Sequence, residues 1–519
     1  MRNARSILVV LAATVCGCHG AGPMLVNGVH DGGGAGGGGS IGAGGGSGGG
    51  AGTTDDGGAP VDAALPPSTE ARFWLTTGDQ ATLFAEQTAA PIAASPCSAP
   101  LTLTLDGTTQ YQTIEGFGAS ITDSSASLLM NTMSATQRAQ LLTQLFDAQK
   151  GIGVSVLRQP VGSSDLAPQF YSYDDLPSGQ TDPNLTSFSI ARDATYIIPA
   201  VKAALAVNNG IDIIATPWSA PAWMKDSGNF TGQGTLIDPD MYDPYANYIV
   251  KFIQQYQAAG IPIWAVTPAN EPLIDHGGYP TMNLQWYQES NLVRYHLAPA
   301  LATANIGAHI LIFDHNWSDA ADYPLTMLND NADLVNDTYG VAFHCYGGDP
   351  SDMDQVHDAY PDKPIYMTEC SGGTWTGDFG ASLISQFQQL YIGSIRHWAK
   401  MVVKWNLVLD DSYGPIGPGG CNDCQGLATI HSDGTYDFNV DYYGMAHVSS
   451  FVARGAARID SNTYGPGSIE DVAFVNPDGG KVLVAINSGG NSLDFNVNDG
   501  DRCFVGTLPG GAVGTFTWR

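Results

Sequence analysis

The chain has 519 residues and a formal net charge of −30, with 50 Asp plus Glu against 20 Lys plus Arg. That length allows two domains, and that charge repels phosphate backbones and anionic polymers, which excludes nucleic acid as a partner and favours a neutral ligand. With 13% charged and 10% aromatic residues, the composition is that of a folded, extracellular-style protein and excludes a disordered one.

Arg2 and Arg5 precede a short apolar run from Ser6 to Val15, followed by Cys16-Gly17-Cys18. The run is too short to span a bilayer, and the pattern predicts a signal peptide over residues 1–18 and a secreted or cell-surface protein. Val15-Cys16-Gly17-Cys18 also resembles a bacterial lipoprotein processing site with Cys18 as the lipidated residue. A membrane would then enter only through that N-terminal lipid anchor. Residues 19–70 read as a disordered Gly-rich linker, and about 50 residues of such coil reach roughly 40 Å.

Residues 71–113 read as N-terminal strands of a β-sandwich: Arg72 to Gly78, then Leu101 to Gly107 with period-2 alternation. From Ile114 the rhythm changes. Eight short apolar runs recur: Ile114–Gly118, Val154–Arg158, Ile211–Ala215, Ile263–Val266, Ile310–Phe313, Val341–His344, Ile365–Thr368 and Met401–Trp405. Between them lie stretches of helical periodicity, among them Thr136–Gln149, Ala194–Val207, Pro244–Ala258 and Trp286–Ala302. Strands alternating with helices predict an α/β protein with a (β/α)8 TIM barrel over 114–445, whose chemistry belongs at the C-terminal strand ends. The rest, 446–519, returns to short strands at Val472–Val475, Val482–Asn487 and Gly514–Arg519. An antiparallel β-sandwich built from both chain ends follows, because each group alone holds too few strands.

Two barrel runs end on a carboxylate: Ile263-Trp264-Ala265-Val266 leads to Asn270-Glu271-Pro272, and Ile365-Tyr366-Met367-Thr368 to Glu369-Cys370. Strands four and seven lie three steps apart, so these side chains face each other across the mouth. Two carboxyls about 5–5.5 Å apart suit a retaining glycosidase, one as nucleophile and one as acid and then base. With Gly116 to Asp123, Thr216 to Lys225, Thr267 to Pro272 and Thr368 to Cys370, the chain resembles glycoside hydrolase family 30 from about Phe73 to its C-terminus. That family holds glucosylceramidases, β-1,6-glucanases and glucuronoxylanases on a barrel with an attached β-sandwich.

The resemblance implies Glu271 as general acid/base and Glu369 as nucleophile, with the charge of Glu369 raising the pKa of Glu271. It implies substrate contacts from Asp165, Trp218, Asn270 and Trp405, with Asn270 on the sugar 2-OH. His344 and Tyr346, at the sixth strand end, join the substrate-binding set, His344 either orienting a carboxylate or serving as a core imidazole. Asp123 reads as structural. No cofactor and no metal are expected. Six cysteines remain beyond the signal region, an even number with 15 possible pairings. Cys421-Asn422-Asp423-Cys424 is also a weak zinc signal, for which Cys345 and Cys370 are the conceivable further ligands. His344-Cys345-Tyr346, the Cys after Glu369 and the Gly419–Cys424 loop look more like the β-1,6-glucanase side than the glucosylceramidase side. The expected activity is an endo-β-1,6-glucanase, with a glucosylceramidase and a non-catalytic surface carbohydrate-binding lipoprotein as alternatives. The expected partner is a neutral β-glucan or other β-glucoside, bound by a monomer.

Overall fold

The structure, a computed structural model, describes residues 67–274 and 277–519. The expected signal peptide, Cys16, Cys18 and nearly all of the Gly-rich linker lie outside the described residues. Among those described, no helix is long and apolar enough to cross a membrane.

Eight parallel strands close into a barrel: Gly116–Ser120, Val156–Val161, Asp212–Pro217, Ala265–Val266, His309–Asn316, Gly340–His344, Ile365–Glu369 and Ala399–Lys404, numbered one to eight in chain order. Strands one, two, six and seven are buried along their whole length, so they read as near-continuous apolar runs rather than alternating ones. Helix Ala135–Phe146 starts on a capping box in which Ser134 and Gln137 satisfy each other's backbone N–H. Helices Ile197–Val207 and Tyr242–Ala258 follow strands two and three. The expected helix Trp286–Ala302 is interrupted: a π-turn at Val293–Leu297 separates Trp286–Leu292 from Ala298–Thr303. Pro299 lacks an N–H and its ring crowds the carbonyl four residues back, which widens the preceding turn.

Inside the barrel, Val156, Ile214, Ala265, Leu311, Ala342, Tyr366, Met401 and Val403 form a closed apolar plug. Because strand side chains alternate with period two, the residues two further along face the same interior, nearer the mouth. These are Arg158, Thr216, Thr267, His344 and Thr368, a polar layer resting on an apolar one. Strand five departs from this alternation. Its register against strand six shifts after Phe313, and Phe313 and Asp314 both have left-handed backbone, φ 79° and 59°. This bulge turns Asp314 inward where strict alternation from Leu311 would have placed Phe313.

Ten further strands form one continuous sheet that includes Glu70–Thr77 and Leu101–Thr113 from the N-terminal side with Ala457–Ser461, Ile469–Val475, Lys481–Asn487, Leu493–Asp499, Arg502–Leu508 and Ala512–Trp518. Leu101–Thr113 is the joint. Its first half pairs in parallel with Leu493–Asp499 and its second half antiparallel with Ala457–Ser461. The two halves of the sheet then face each other: Phe504 meets Phe516 at 5.6 Å and Trp518 at 5.2 Å between ring centroids, and Phe516 stacks on Phe73 at 4.4 Å. The chain ends thus share one sandwich core. The helix Val440–Ser449, running past the expected boundary at 445, carries His447 against it. His447 Nε2 bonds Thr76 Oγ1 at 2.8 Å and its Nδ1 bonds Thr515 Oγ1 at 2.9 Å.

Candidate active site

A cavity of about 300 Å³ opens at the C-terminal ends of the strands, lined among others by Asp165, Trp218, Asn270, Glu271, Tyr279, Tyr346, Glu369, Trp375 and Trp405. Seven of the eight sequence-predicted site residues line it. The eighth, His344, is fully buried behind it and bonds one of the lining carboxylates.

Glu369 closes strand seven, as expected. Glu271 does not close strand four, whose ladder ends at Val266. The chain runs on without regular pairing, fastened by Asn270 N–H to Pro217 O at 2.8 Å and Glu271 N–H to Asp314 O at 3.0 Å. Glu271 takes a left-handed backbone, φ 44°, at this turn, a strained conformation for a non-glycine residue. An oxygen of Glu271, an oxygen of Glu369 and a ring nitrogen of His344 lie within 4.8 Å of one another.

One cation organises the floor. Arg158, fully buried, donates from Nη1 to Glu369 Oε2 at 2.5 Å and from Nη2 to Asn270 Oδ1 at 2.7 Å and Asp314 Oδ2 at 2.8 Å. Its guanidinium lies 4.8 Å from the Trp218 ring centroid, and Trp218 stacks on Trp405 at 5.1 Å. Asp314 accepts from Thr368 Oγ1 at 2.6 Å and Thr267 Oγ1 at 2.9 Å, and meets His344 Nε2 at 3.1 Å. Burial opposes its charge, yet Arg158 and His344 hold its carboxyl well below the usual range. As an anion it can only accept, so His344 Nε2 carries a proton.

The other face of His344 meets Glu271: Nδ1 and Oε1 are 3.0 Å apart. Burial works against a charged imidazole, but Glu369, Asp314 and the bonds to Asp314 and Glu271 hold His344 up to about 9. Here the sequence expectation is corrected. Burial does raise Glu271, but the bond to and charge of His344, with the charges of His315 and Arg158, outweigh it and the net shift is downward. The resting pair therefore holds one proton in the 3.0 Å bond. Moving it from Nδ1 to Oε1 turns an ion pair into a neutral carboxylic acid and a neutral imidazole with no change of net charge.

Burial pushes Glu369 up, against His344 and Arg158. Both of its oxygens nevertheless accept: Oε2 from Arg158, and Oε1 from Tyr346 OH at 2.8 Å. Because Tyr346 OH itself accepts the Ser371 N–H at 3.1 Å, its own proton points at Glu369. This donor pattern fits a carboxylate. Glu271, His344 and Glu369 bring three potential ligand atoms together, of which Glu369 also accepts from Arg158 and Glu271 bonds His344. Asp165 accepts the Cys421 N–H at 3.2 Å, and burial pushes its carboxyl up to about 7. Asp123 bonds Tyr196 OH at 2.7 Å away from the cavity.

The four cysteines considered as zinc ligands form two disulfides: Cys345–Cys370 ties the ends of strands six and seven, and Cys421–Cys424 closes a rim loop; a third, Cys97–Cys503, joins the sandwich. Sequence reasoning did not assign Arg158 or Asp314. Arg158 had a signal, a lone Arg inside an apolar strand run. Asp314 had none, since only the bulge turns it inward.

Comparison with known proteins places this arrangement. Residues 114–452 match the glycosyl hydrolase family 30 TIM-barrel domain and residues 455–516 the glycosyl hydrolase family 30 beta sandwich domain. An endo-1,6-beta-D-glucanase of Trichoderma harzianum is 34% identical over 82% of this chain and 89% of its own length. The solved structure of the endo-beta1,6-glucanase BT3312 is 34% identical, covers 86% of this chain and 99% of its own, and superposes with a TM-score of 0.78. The lysosomal acid glucosylceramidase of Mus musculus is 27% identical over 82% of this chain and 85% of its own length.

Proposed function

Because the chain belongs to glycosyl hydrolase family 30, we propose that it cleaves β-1,6-glucan internally with retention of configuration, Glu369 acting as nucleophile and Glu271 as acid/base. The observation that carries this reading is that an oxygen of Glu271 and an oxygen of Glu369 lie within 4.8 Å of each other, short of the roughly 6.5–9.5 Å that an inverting pair leaves for a water. Glu369, fixed by Arg158 and Tyr346, attacks the anomeric carbon. The proton shared by Glu271 and His344 passes through Glu271 Oε1 to the departing glycosidic oxygen. Once the ester forms, the negative charge of Glu369 is gone. Glu271 then takes a proton from water, and the hydroxide formed displaces the ester. Arg158 occupies Asn270 Oδ1, which leaves the Asn270 amide N–H groups for the sugar 2-OH, a bond that tightens as the oxocarbenium develops.

The substrate reading is supported by relatives named as endo-1,6-glucanases at 34–36% identity across most of both chains, against 27–32% for relatives named as glucosylceramidases. Pustulan-type β-1,6-glucan, a glucosylceramide and xylan test it side by side. Mixed β-1,6 oligosaccharides released first as β-anomers support the reading. Turnover of the lipid or of xylan with the glucan untouched overturns it, and binding of glucan without any turnover favours a carbohydrate-binding protein.

The three disulfides support export to an oxidising compartment. Mass spectrometry of the mature N-terminus decides the anchor: acyl groups on Cys18 give a tethered enzyme, and their absence a free one.

A further inference from the structure

Trp375 takes no part in the chemistry above, yet it lines the cavity while 52% exposed. Its indole is held in place. It lies flat on its own backbone, since a β-carbon at Gly373 would sit 2.0 Å from Trp375 Cζ3. The short strap carrying it is fastened on one side: Gly372 and Gly373 pair antiparallel with Gln425 and Cys424, and Thr374 N–H bonds Asp423 O at 3.1 Å. Of those partners, Asp423 and Cys424 belong to the loop closed by the Cys421–Cys424 disulfide and Gln425 directly follows it. Thr376 Oγ1 closes the turn on Gly373 O at 2.7 Å. One ring face is thus packed on glycine and a large part of the indole is left to solvent at the rim.

The cavity holds about 300 Å³, the lower end of the range for ligand sites, and its buried floor is taken up by the residues around Glu271 and Glu369. A chain substrate has to continue over the rim. A β-1,6 linkage has one more rotatable bond than a linkage between ring carbons, so aligning the next ring loses more conformational freedom. A rigid flat surface at that point offsets part of the loss.

We propose that Trp375 is the stacking platform for the sugar ring adjacent to the one held between Glu271 and Glu369, making the rim strap a second binding subsite for a β-1,6-linked chain. This rests on the β-1,6-glucan reading. The catalytically silenced Glu369→Gln protein is titrated calorimetrically with a β-1,6-linked glucotriose and with a single-ring, glucose-configured iminosugar. Adding Trp375→Ala lowers the ratio of trisaccharide to single-ring affinity about ten-fold, the size of one aromatic stacking contact. Trp375→Phe restores most of it, and Gly373→Ala, which displaces the indole without deleting it, reproduces the loss. An unchanged ratio with Trp375→Ala overturns the platform while leaving the substrate reading intact. If the Glu369→Gln protein binds the single ring but not the trisaccharide, the substrate reading and the platform fall together. Trp375 lies on the rim outside the core, and matching thermal midpoints confirm that all variants fold.

Discussion

Glu271 and Glu369 are the same residue type in one cavity, separated in behaviour by what each bonds. Glu369 has a fixed cation and a phenol, and Glu271 an imidazole that shares its proton. Glu369→Gln therefore removes the nucleophile, and turnover of every glycoside is expected to fall by several orders of magnitude. Glu271→Ala removes only proton delivery. Its activity on unactivated glucan collapses while an activated aryl glucoside, whose leaving group needs little protonation, keeps partial turnover. Equal collapse on both substrates counts against Glu271 as the acid. The His344–Glu271 pair also sets a pH limb. It keeps its proton until the pH rises through about 9, so kcat/KM falls on the alkaline side as that proton is lost. In His344→Gln the proton is held by Glu271 alone, and the alkaline limb moves to lower pH. The same shift makes His344 stabilise the fold fully below about 6.5 and progressively less as the pH climbs through about 9.

At the scale of the element, strand five decides whether this network exists. Its bulge at Phe313–Asp314 is pinned by Glu289 from helix Trp286–Leu292, whose Oε1 accepts the Phe313 N–H at 2.8 Å while Oε2 contacts Tyr323 OH at 2.7 Å. Tyr323 OH also lies 2.8 Å from Leu284 O, so its single proton is shared between that carbonyl and Glu289, whose carboxyl burial pushes up to about 7. Glu289→Gln keeps an acceptor for Phe313, leaves the Tyr323 proton to Leu284 O and is expected to remain close to the parent. Glu289→Ala leaves a buried N–H unpaired, a loss of about 1–3 kcal/mol, and releases Asp314. We expect kcat to fall at least about ten-fold with a smaller change in KM, because the displaced groups act on the transition state. A KM-only effect would refute this role. The apolar run Ile310–Phe313 revealed where strand five lies but carried no mark of a register shift two residues before its end, because the bulge is stabilised by contacts from a helix about 25 positions earlier in the chain.

For the whole molecule, the sandwich is closed by segments at opposite ends of the sequence. Cys97–Cys503 spans 406 positions, and a cross-link of that length stabilises by on the order of 5 kcal/mol through the unfolded chain. It stands in the sandwich, away from the cavity-lining residues. Replacing both cysteines by Ser is expected to lower the thermal midpoint by several degrees while kcat/KM at moderate temperature stays at the parent value. A matching fall in kcat/KM would mean that the sandwich holds the barrel mouth in shape.

The amino-acid sequence by itself determined the eight-strand barrel, the strands of the sandwich at both ends and the two carboxylates that follow barrel strands, while the family resemblance added the other residues that meet in the cavity. Each is written locally: buried parallel strands demand apolar runs, and catalytic side chains follow those runs where the strands end. Tertiary structure alone decided the inward turn of Asp314, the triple grip of Arg158, the proton shared by His344 and Glu271, the three cysteine pairings and the placing of Trp375. These depend on distances between groups far apart in the chain, and a carboxylate, an imidazole or a thiol acquires its charge and its partner only from what folding brings beside it.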